Sequence, residues 1–453
     1  MSMLSTADWR LTFFEIVAGR SPGAGEQLLQ SVLAIALVFL PGVLLLAMFA
    51  IWWERKVAGH MQSRPGPNRV GPVGVLQSLA DGMKLLLKED LKPAVADSIL
   101  FRLAPYVSFA PVFAAFLALP FAPNLTFEPR LNSGVFWILA VLGVEIMGVI
   151  LAGWASNNKW AIYGAMREAC QMVSYEIPLG LSIVVGVMAA GTLNLVELGF
   201  LQGGGIHTWI IFRNPFVFLS FFVYFIASLA SNKRAPFDLP ESESELVAGF
   251  HTEYSGMRFA FFFFAEYAAM FVVGSIQTAL FLGGWNDPFG FIGHYYTLWI
   301  SDPIAHRTGL ILLNLAGAAI FCGKALAIVF VQMWLRWTLP RPRIDQVLYT
   351  CVKVLFPAAC VLLVGAAIWQ MLVPSWQGGS LIENPLPWVH YNPLSWADWS
   401  RGGATTALIV QSLLALVGVS LTGAMALWVA YAFVTGRTRR QRLSEPHPIP
   451  EPA

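Results

Sequence analysis

The sequence predicts an all-α polytopic membrane protein with about nine transmembrane helices and an amphipathic helix at the membrane surface. Of the 453 residues, 57% are hydrophobic and only 12% are charged, whereas soluble domains carry about 25% charged residues. Apolar runs of about 20 residues recur along the chain, and a helix of that length crosses the hydrocarbon layer of a bilayer. These runs lack the alternation of apolar and polar residues that a transmembrane β-barrel requires.

The predicted spans divide the chain into an eight-span body over residues 28–373 and one further C-terminal span. Residues 1–27 are expected to form an external segment, 374–404 a Trp-rich external connector, and 435–453 a basic, then Pro-rich tail. The nine predicted spans are 28–53, 98–121, 135–155, 169–192, 215–231, 259–283, 307–335, 351–373 and 405–434.

Lysine and arginine residues are concentrated in the connectors that follow the odd-numbered spans. The positive-inside rule therefore places the N-terminus outside and the tail with Arg437–Arg442 in the cytoplasm. Residues 1–27 lack a basic start followed by a short apolar core, so we expect no cleaved signal peptide. All the polar connectors described next lie on the cytoplasmic face in this topology.

Metal, haem and nucleotide sites are not indicated. The cysteines, Cys170, Cys322, Cys351 and Cys360, form no Cys-x-x-Cys pair, and the seven histidines are scattered. That spacing does not favour iron–sulfur, zinc or haem ligation. The sequence also contains neither G-x-x-x-x-G-K-[ST] nor G-x-G-x-x-G, so a nucleotide site in this chain is not expected.

The first cytoplasmic connector combines basic residues, a Pro- and Gly-rich stretch and a predicted amphipathic helix. Arg55 and Lys56 follow Glu54, and residues 64–72 are too rich in proline and glycine for a regular helix. Beyond them one helical face is apolar and the opposite face polar; the apolar positions are Leu76, Leu79, Ala80, Met83, Leu86 and Leu87, and the polar ones Gln77, Asp81, Lys84 and Lys88. Such a helix lies along the membrane interface, either as a simple anchor or as the lining of a lateral entrance for an amphiphilic ligand.

Charged residues also occur inside the predicted spans. Glu145 lies at the centre of the third span, Glu176 just before Pro178 in the fourth, Glu266 in the sixth and Lys324 in the seventh. A charge near the bilayer centre costs about 2.5–3.5 kcal/mol, and such residues commonly mark proton pathways. The alternative is internal pairing, for example of Lys324 with one glutamate, which would only stabilise the bundle.

The third cytoplasmic connector is an acidic, proline-framed loop between two apolar spans. Its acids are Asp238, Glu241, Glu243, Glu245 and Glu253. They are typical of the start of a helix in water, because Asp238 suits an N-cap and glutamates favour the positive end of the helix dipole. The alternative is a chain of carboxylates with coupled titrations, which runs from the cytoplasmic rim toward the acids of the spans.

The fourth cytoplasmic connector, Arg336–Gln346, again places basic residues beside prolines. Anchoring by the positive-inside rule explains much of this pattern.

Two short motifs in these loops are specific. Residues 234–241 read Arg-Ala-Pro-Phe-Asp-Leu-Pro-Glu and residues 153–157 read Gly-Trp-Ala-Ser-Asn. At these loops the sequence resembles the quinone-site membrane subunit of proton-pumping NADH:quinone oxidoreductase, respiratory complex I. The resemblance extends over Glu54–Lys56, Gly66–Gly71, Asp81–Lys92, Gly153–Pro178, Asn232–Tyr267 and Arg336–Gln346.

The resemblance implies a tilted helical bundle, normally of eight spans, that joins the peripheral redox arm to the pump modules of the membrane arm. It places Arg55, Arg64, Asp81 and Arg336 at or near the quinone cavity. It implies a proton pathway that begins at Glu145, Glu176, Glu241, Glu243, Glu245 and Glu266, to which we add Lys324 from its position inside a span. No catalytic residue and no redox centre is expected in this chain, because flavin and iron–sulfur clusters belong to partner subunits.

The expected partners are the peripheral-arm quinone-site subunits, the membrane-arm pump subunits, quinone and membrane lipid, and the expected location is the bacterial cytoplasmic membrane. The Trp-rich connector and the ninth span lie beyond the usual eight-span body. Trp376, Trp388, Trp396 and Trp399 suit an external interfacial belt.

Two other functions remain as alternatives from the sequence. The related membrane anchor of an energy-conserving hydrogenase would handle no quinone. A secondary transporter would show paired broken helices in two related halves, but Pro178 has no evident counterpart in the second half.

Overall fold

The computed structural model describes residues 39–127, 131–300 and 306–372, together with five isolated helical positions between 420 and 431. The expectations for segments 1–27, 374–404 and 435–453 therefore lie outside the described residues. The same holds for the first half of the first predicted span and, apart from those five positions, for the ninth.

All regular secondary structure in the described residues is helical. Short 3-10 and single-turn helices connect the principal helices. The principal helices are α1 (Leu40–Met61), α2 (Gln77–Leu87), α3 (Ser98–Phe116), α4 (Gly134–Ala155), α5 (Lys159–Ala190), α6 (Leu195–Leu201), α7 (Pro215–Ser231), α8 (Gly256–Phe281), α9 (Phe291–Ile300), α10 (Arg307–Arg336) and α11, a continuous run of Ile344–Leu348, the π-helical Tyr349–Leu355 and Phe356–Leu372.

Six of these helices, α3, α4, α5, α8, α10 and α11, are long and apolar enough to cross a membrane, and α7 is a shorter apolar helix. The predicted all-α polytopic membrane fold is thereby confirmed. Predicted and observed boundaries of α4, α7 and α10 agree within a residue, because their apolar runs are framed sharply by polar residues or proline.

Helix α5 begins earlier than the sequence pattern predicted. The fourth span was expected from residue 169, but the helix starts at Lys159, where the side chain of Asn158 accepts a hydrogen bond from the backbone amide of Trp160 at 3.0 Å. This side chain satisfies one of the amides at the helix start. The early start places Glu168 within a transmembrane helix instead of a connector.

Helix α8 lies at the centre of the bundle and is buried along most of its length. It packs against α1, α3, α7 and α10, while α5 packs against α4, α7 and α11. Helices α3 and α4 approach closely at Gly148, where an added Cβ would lie only 2.4 Å from the backbone nitrogen of Ser108. Small residues permit such close approach in membrane bundles.

The predicted amphipathic helix is present as α2. It packs against α1 and α8, and Ser78 is buried, whereas Leu79, Met83 and Leu86 are exposed. An apolar face that is turned away from the bundle is suited to the acyl-chain boundary of a membrane. The polar residue Asp81 lies on the side that contacts α1.

Candidate functional site: two buried ion networks

The centre of the candidate site is the turn that follows α7. Lys233 and Arg234 are both only 4% exposed, although they lie beside a helix end. The side-chain amide of Gln171 on α5 donates to the carbonyl oxygens of Ala230 at 2.8 Å and Phe237 at 2.9 Å, which fixes both ends of the turn. Lys233 adopts a left-handed backbone conformation with φ of 51°.

The first network, the lysine network, joins Lys233 to acids on two helices. Its Nζ donates to Oε1 of Glu145 on α4 at 3.1 Å and lies 3.8 Å from Oε1 of Glu168 on α5. Glu168 is fully buried, and neither of its carboxylate oxygens has a hydrogen bond within the described part of the chain. One ammonium group is therefore shared by two carboxylates.

The second network, the arginine network, connects four charged residues from α1, α8, α10 and the turn after α7. Nε of Arg234 lies 2.8 Å from Oε1 of Glu266 on α8, and its Nη1 lies 3.3 Å from the carboxylate of Glu54 on α1. Arg336 at the end of α10 also pairs with Glu54. The guanidinium of Arg234 stacks on the ring of Tyr267 at 4.2 Å, so burial of its charge is compensated on several sides.

Ion pairs also hold the acidic loop against neighbouring elements. Asp238 pairs with Arg341 at 3.0 Å, and Glu245 pairs with Arg167 of α5 at 2.5 Å. Glu241 lies 2.9 Å from Nε2 of His251 in the same loop. The loop is therefore tied both to α5 and to the connector that follows α10.

The loop closes on itself at Gly249. This residue has φ of 55°, and a Cβ added there would lie 1.7 Å from the carbonyl oxygen of Pro240. Only glycine permits both the left-handed backbone and this close approach. The contact brings the start and the end of the loop together and sets Glu241 beside His251.

Neighbouring acids in the loop have different proton affinities. Burial and the negative charge of Glu241 raise the pKa of Asp238 to about 6, although Arg341 acts in the opposite direction. Burial alone would raise the pKa of Glu241. The charge and hydrogen bond of His251, together with the charge of Arg234, have a larger opposite effect, so the pKa of Glu241 is lowered to about 2. A proton that reaches this loop is therefore bound by Asp238 before Glu241.

Asp238→Asn is expected to change the pH dependence of stability. Because the folded-state pKa of Asp238 is about 6, above its ordinary 3.8, the folded chain binds this proton more tightly than the unfolded chain does. Its stabilising contribution is complete below about pH 3.8 and declines as the pH rises through 6. The melting temperature of wild type minus that of Asp238→Asn should therefore increase as the pH falls from 7 to 4. The exposed Asp345→Asn is the control, and an equal pH slope in both variants would contradict this assignment.

The predicted quinone-cavity residues are only partly brought together. Arg55 pairs with Asp81 of α2, to which Gln77 also donates at 3.1 Å. Burial opposes ionisation of Asp81, but these hydrogen bonds outweigh it and lower its pKa. Arg64 is exposed, and its Nε donates to Gln62 at 2.7 Å, whereas Arg336 joins the arginine network.

Comparison with known proteins assigns the family. A family model described as NADH dehydrogenase matches residues 33–367. The chain belongs to the NADH dehydrogenase family.

Individual relatives agree with this family assignment. The H subunit of NADH-quinone oxidoreductase from Chlorobium luteolum is 48% identical over 343 residues, which cover 75% of this chain and 89% of that protein. The protein of the same name from Chlorobaculum tepidum is 45% identical over 361 residues, with 79% and 97% covered. That of Geobacillus thermodenitrificans is 45% identical over 345 residues, with 75% and 96% covered. The resemblance predicted from the loop motifs is confirmed.

Among the predicted pathway residues whose side chains the structure describes, the two networks of this NADH dehydrogenase family member contain Glu145 and Glu266 but not Glu176, Glu241, Glu245 or Lys324. Glu176 lies on α5, within the predicted fourth span, and is exposed on the surface of this chain, so its role in the pathway stays a prediction. Glu243 lies on the single-turn helix Glu243–Leu246. Lys324 pairs with no glutamate among the described residues; its Nζ donates to the carbonyl oxygens of Leu282, Gly284 and Asn286.

The position of Lys324 explains its different partners. Leu282 follows α8 and lies 16 residues beyond Glu266, which corresponds to about 24 Å of helix. The Lys324 ammonium also lies 4.2 Å from the ring of Trp209. Lys324 therefore binds the backbone carbonyl groups that follow the C-terminal end of α8. Its role in proton transfer stays a prediction.

Four members of the two networks were not predicted as site residues: Glu54, Glu168, Lys233 and Arg234. Glu168 was missed because the start of α5 was placed after it. Glu54, Lys233 and Arg234 were expected in cytoplasmic connectors, where charge has an ordinary explanation. Their burial depends on the turn after α7 folding into the bundle. A signal was present, since Lys233 and Arg234 directly precede the specific Ala-Pro-Phe-Asp motif.

Within the described residues, no group of three or more His, Cys, Asp or Glu side chains could hold a metal ion.

Proposed function

We propose that this chain is the quinone-site membrane subunit of an NADH-quinone oxidoreductase, respiratory complex I. It forms part of the quinone cavity and couples quinone reduction to proton translocation through buried and loop carboxylates. The printed names of the relatives and the match over residues 33–367 support this assignment. They do not favour a secondary transporter, and none of the three relatives described above is named as a hydrogenase component.

The observation that carries the proposal is the division of roles between two consecutive residues of α1. Glu54 points into the bundle and pairs with Arg234 and Arg336, whereas Arg55 pairs with Asp81 on α2. Of the expected quinone-cavity residues, Arg336 thus pairs directly with a buried acid, and the Arg55–Asp81 pair is linked to the same acid because Arg55 follows Glu54 in α1. A charge change on one side of α1 alters the electrostatic balance on the other side.

Electrostatics supplies the coupling in this proposal. Reduction of a quinone places negative charge in the cavity before protons neutralise it. At a separation of 4 Å and an effective dielectric constant near 20, two unit charges interact by about 4 kcal/mol. The new charge attracts Arg336, weakens its hold on Glu54 and leaves Arg234 to redistribute between Glu54 and Glu266. Proton affinities of the connected acids then change together.

In this proposal, protons enter the pathway at one group of acids and leave it at another. Glu241, Glu243 and Glu245 belong to the loop at the cytoplasmic rim. Glu176 lies at the α4–α5 surface, where a Cβ placed on Gly143 would be 3.6 Å from its Oε1. A charge in lipid costs about 2.5–3.5 kcal/mol, so we propose that a pump subunit covers Glu176 and receives the proton there.

In the assembled enzyme, peripheral-arm subunits carry the flavin and iron–sulfur clusters and deliver electrons to the quinone. This chain supplies no redox centre. It lies in the bacterial cytoplasmic membrane with its N-terminus outside and its C-terminus in the cytoplasm. Quinone and membrane lipid are its small-molecule contacts.

Glu176→Gln and Glu245→Gln test the pathway at its two ends. Each removes a protonatable group while keeping the shape of the side chain, so we expect lower quinone reductase activity or fewer protons moved per electron in both variants. The measurement is NADH-driven quinone reduction with proton uptake in vesicles that contain the assembled complex. Wild-type values of both quantities in both variants would refute the pathway.

Proteins that co-purify in mild detergent separate this function from its nearest rival. Flavin and iron–sulfur absorbance with NADH oxidation supports the complex I assignment. Nickel with hydrogen evolution would support an energy-conserving hydrogenase instead.

A further inference from the structure

The two buried networks differ in their charge balance. The arginine network contains two cations, Arg234 and Arg336, and two acids, Glu54 and Glu266. The lysine network contains one cation and two acids. A fully ionised lysine network would therefore carry an uncompensated negative charge, which is costly in a buried site.

The geometry identifies where that charge is least compensated. Lys233 donates to Glu145 at 3.1 Å, but its distance of 3.8 Å from Glu168 is too long for a hydrogen bond. Glu168 is 0% exposed and both its oxygens lack hydrogen-bond partners within the described chain.

The other ionisable groups near Glu168 add little compensation. Glu145 on α4 and Glu241 in the acidic loop interact with it as further negative charges, and the buried phenol of Tyr175 lies on the same helix. Arg167, the preceding residue on α5, is directed to Glu245 at the surface. Lys233 is thus the cation that controls the charge of Glu168.

We propose that Glu168 is a proton-carrying residue of the coupling pathway and that Lys233 is the positioning residue that controls it. This proposal rests on the proposed function and deepens it. In the observed arrangement Lys233 pairs with ionised Glu145, and Glu168 holds one proton. A shift of the ammonium group by about 1 Å toward Glu168, on the scale of the ordinary hydrogen-bond range, reverses these roles.

The reversal is a balanced proton transfer. Glu168 releases its proton from a carboxyl oxygen and becomes the partner of Lys233, while Glu145 loses its ion pair and binds a proton. No electron is exchanged, and the total number of protons in the network is unchanged. The neighbouring Arg234 links this movement to the arginine network, because a single peptide bond joins the two residues.

Protonation of Glu168 can be measured independently of turnover. In the assembled complex at neutral pH, the infrared carbonyl band of protonated carboxyl groups should lose one carboxyl equivalent in Glu168→Gln relative to wild type. Lys233→Met should gain intensity, because both acids then bind protons, and Lys233→Met/Glu168→Gln should return to the wild-type intensity. Unchanged intensity in Glu168→Gln would overturn the proposal.

Coupling provides the second readout. In vesicles, Glu168→Gln should lower the number of protons moved per electron, because a proton-transfer group is lost, and Glu168→Asp should restore part of this loss. The matched control is Glu197→Gln, because Glu197 lies beyond the far end of α5 and pairs with Thr192.

The two levels of the proposal fail in different ways. Wild-type coupling in Glu168→Gln with reduced coupling in Glu176→Gln and Glu245→Gln refutes only the role of Glu168. Wild-type behaviour of all three variants refutes the proposed function as well.

Discussion

Arg234→Met is expected to destabilise the chain more than any other single substitution in the two networks. The change leaves Glu266 without its ion pair at 2.8 Å and removes one of the two arginines from Glu54. Breaking a buried pair by removal of one partner costs about 3–5 kcal/mol, because the remaining charge stays buried. Methionine also loses the cation–π contact with Tyr267. The free energy of unfolding in mixed micelles and the yield of assembled complex measure the loss.

The matched control is Arg258→Met. Arg258 pairs with Asp90 at 2.8 Å, but the Asp90 side chain is 44% exposed, and pairs at the surface contribute about 1 kcal/mol or less. Arg234→Lys should give an intermediate loss, since an ammonium group cannot address two carboxylates with a planar fork. Equal losses in Arg234→Met and Arg258→Met would show that the arginine network does not hold the bundle together.

Glu54→Gln is expected to cause the largest loss of activity while largely preserving the fold. Glutamine keeps the shape of the side chain but removes the charge that Arg234 and Arg336 share, so the arginine network gains a net positive charge. Arg336 then loses its carboxylate partner and is free to hold a reduced quinone, whereas Arg234 keeps Glu266, and the response of the acids is lost. We expect quinone reductase activity to fall by about tenfold or more, equivalent to about 1.4 kcal/mol in the barrier.

Glu89→Gln, at an exposed residue in the connector that follows α2, is the control for Glu54→Gln. Steady-state NADH:quinone activity and the apparent affinity for quinone should both be measured in membranes with matched amounts of complex. If activity in Glu54→Gln is as high as in Glu89→Gln, Glu54 does not take part in the coupling of quinone reduction to the buried acids.

The sequence predicted the membrane fold well because the bilayer imposes a simple length and polarity requirement. Apolar runs framed by proline or polar residues, such as 215–231, gave the helix bounds directly. Residues 159–168 were one exception, since they form a polar part of α5 that continues beyond the apolar run. The cap at Asn158 depends on local geometry that hydropathy does not report.

The candidate site could be predicted only in part. The motif at 234–241 led to the correct region, and Glu145 and Glu266 were recognised because a charge in an apolar span is conspicuous. The pairing of Lys233 with Glu145 and Glu168 was out of reach, because it joins residues from three elements distant in sequence. Lys324 had the same sequence signal as the glutamates, but its ammonium group is satisfied by backbone carbonyls.

Lys233 and Arg234 are adjacent in the chain, and each pairs with a different set of acids. The lysine network and the arginine network are therefore linked, and linkage between two sites is reciprocal. If quinone binding changes the proton affinity of the lysine network by some factor, protonation must change the quinone affinity by the same factor. Equilibrium titration of quinone at a series of pH values would therefore report the same coupling free energy as proton-uptake measurements at a series of quinone concentrations.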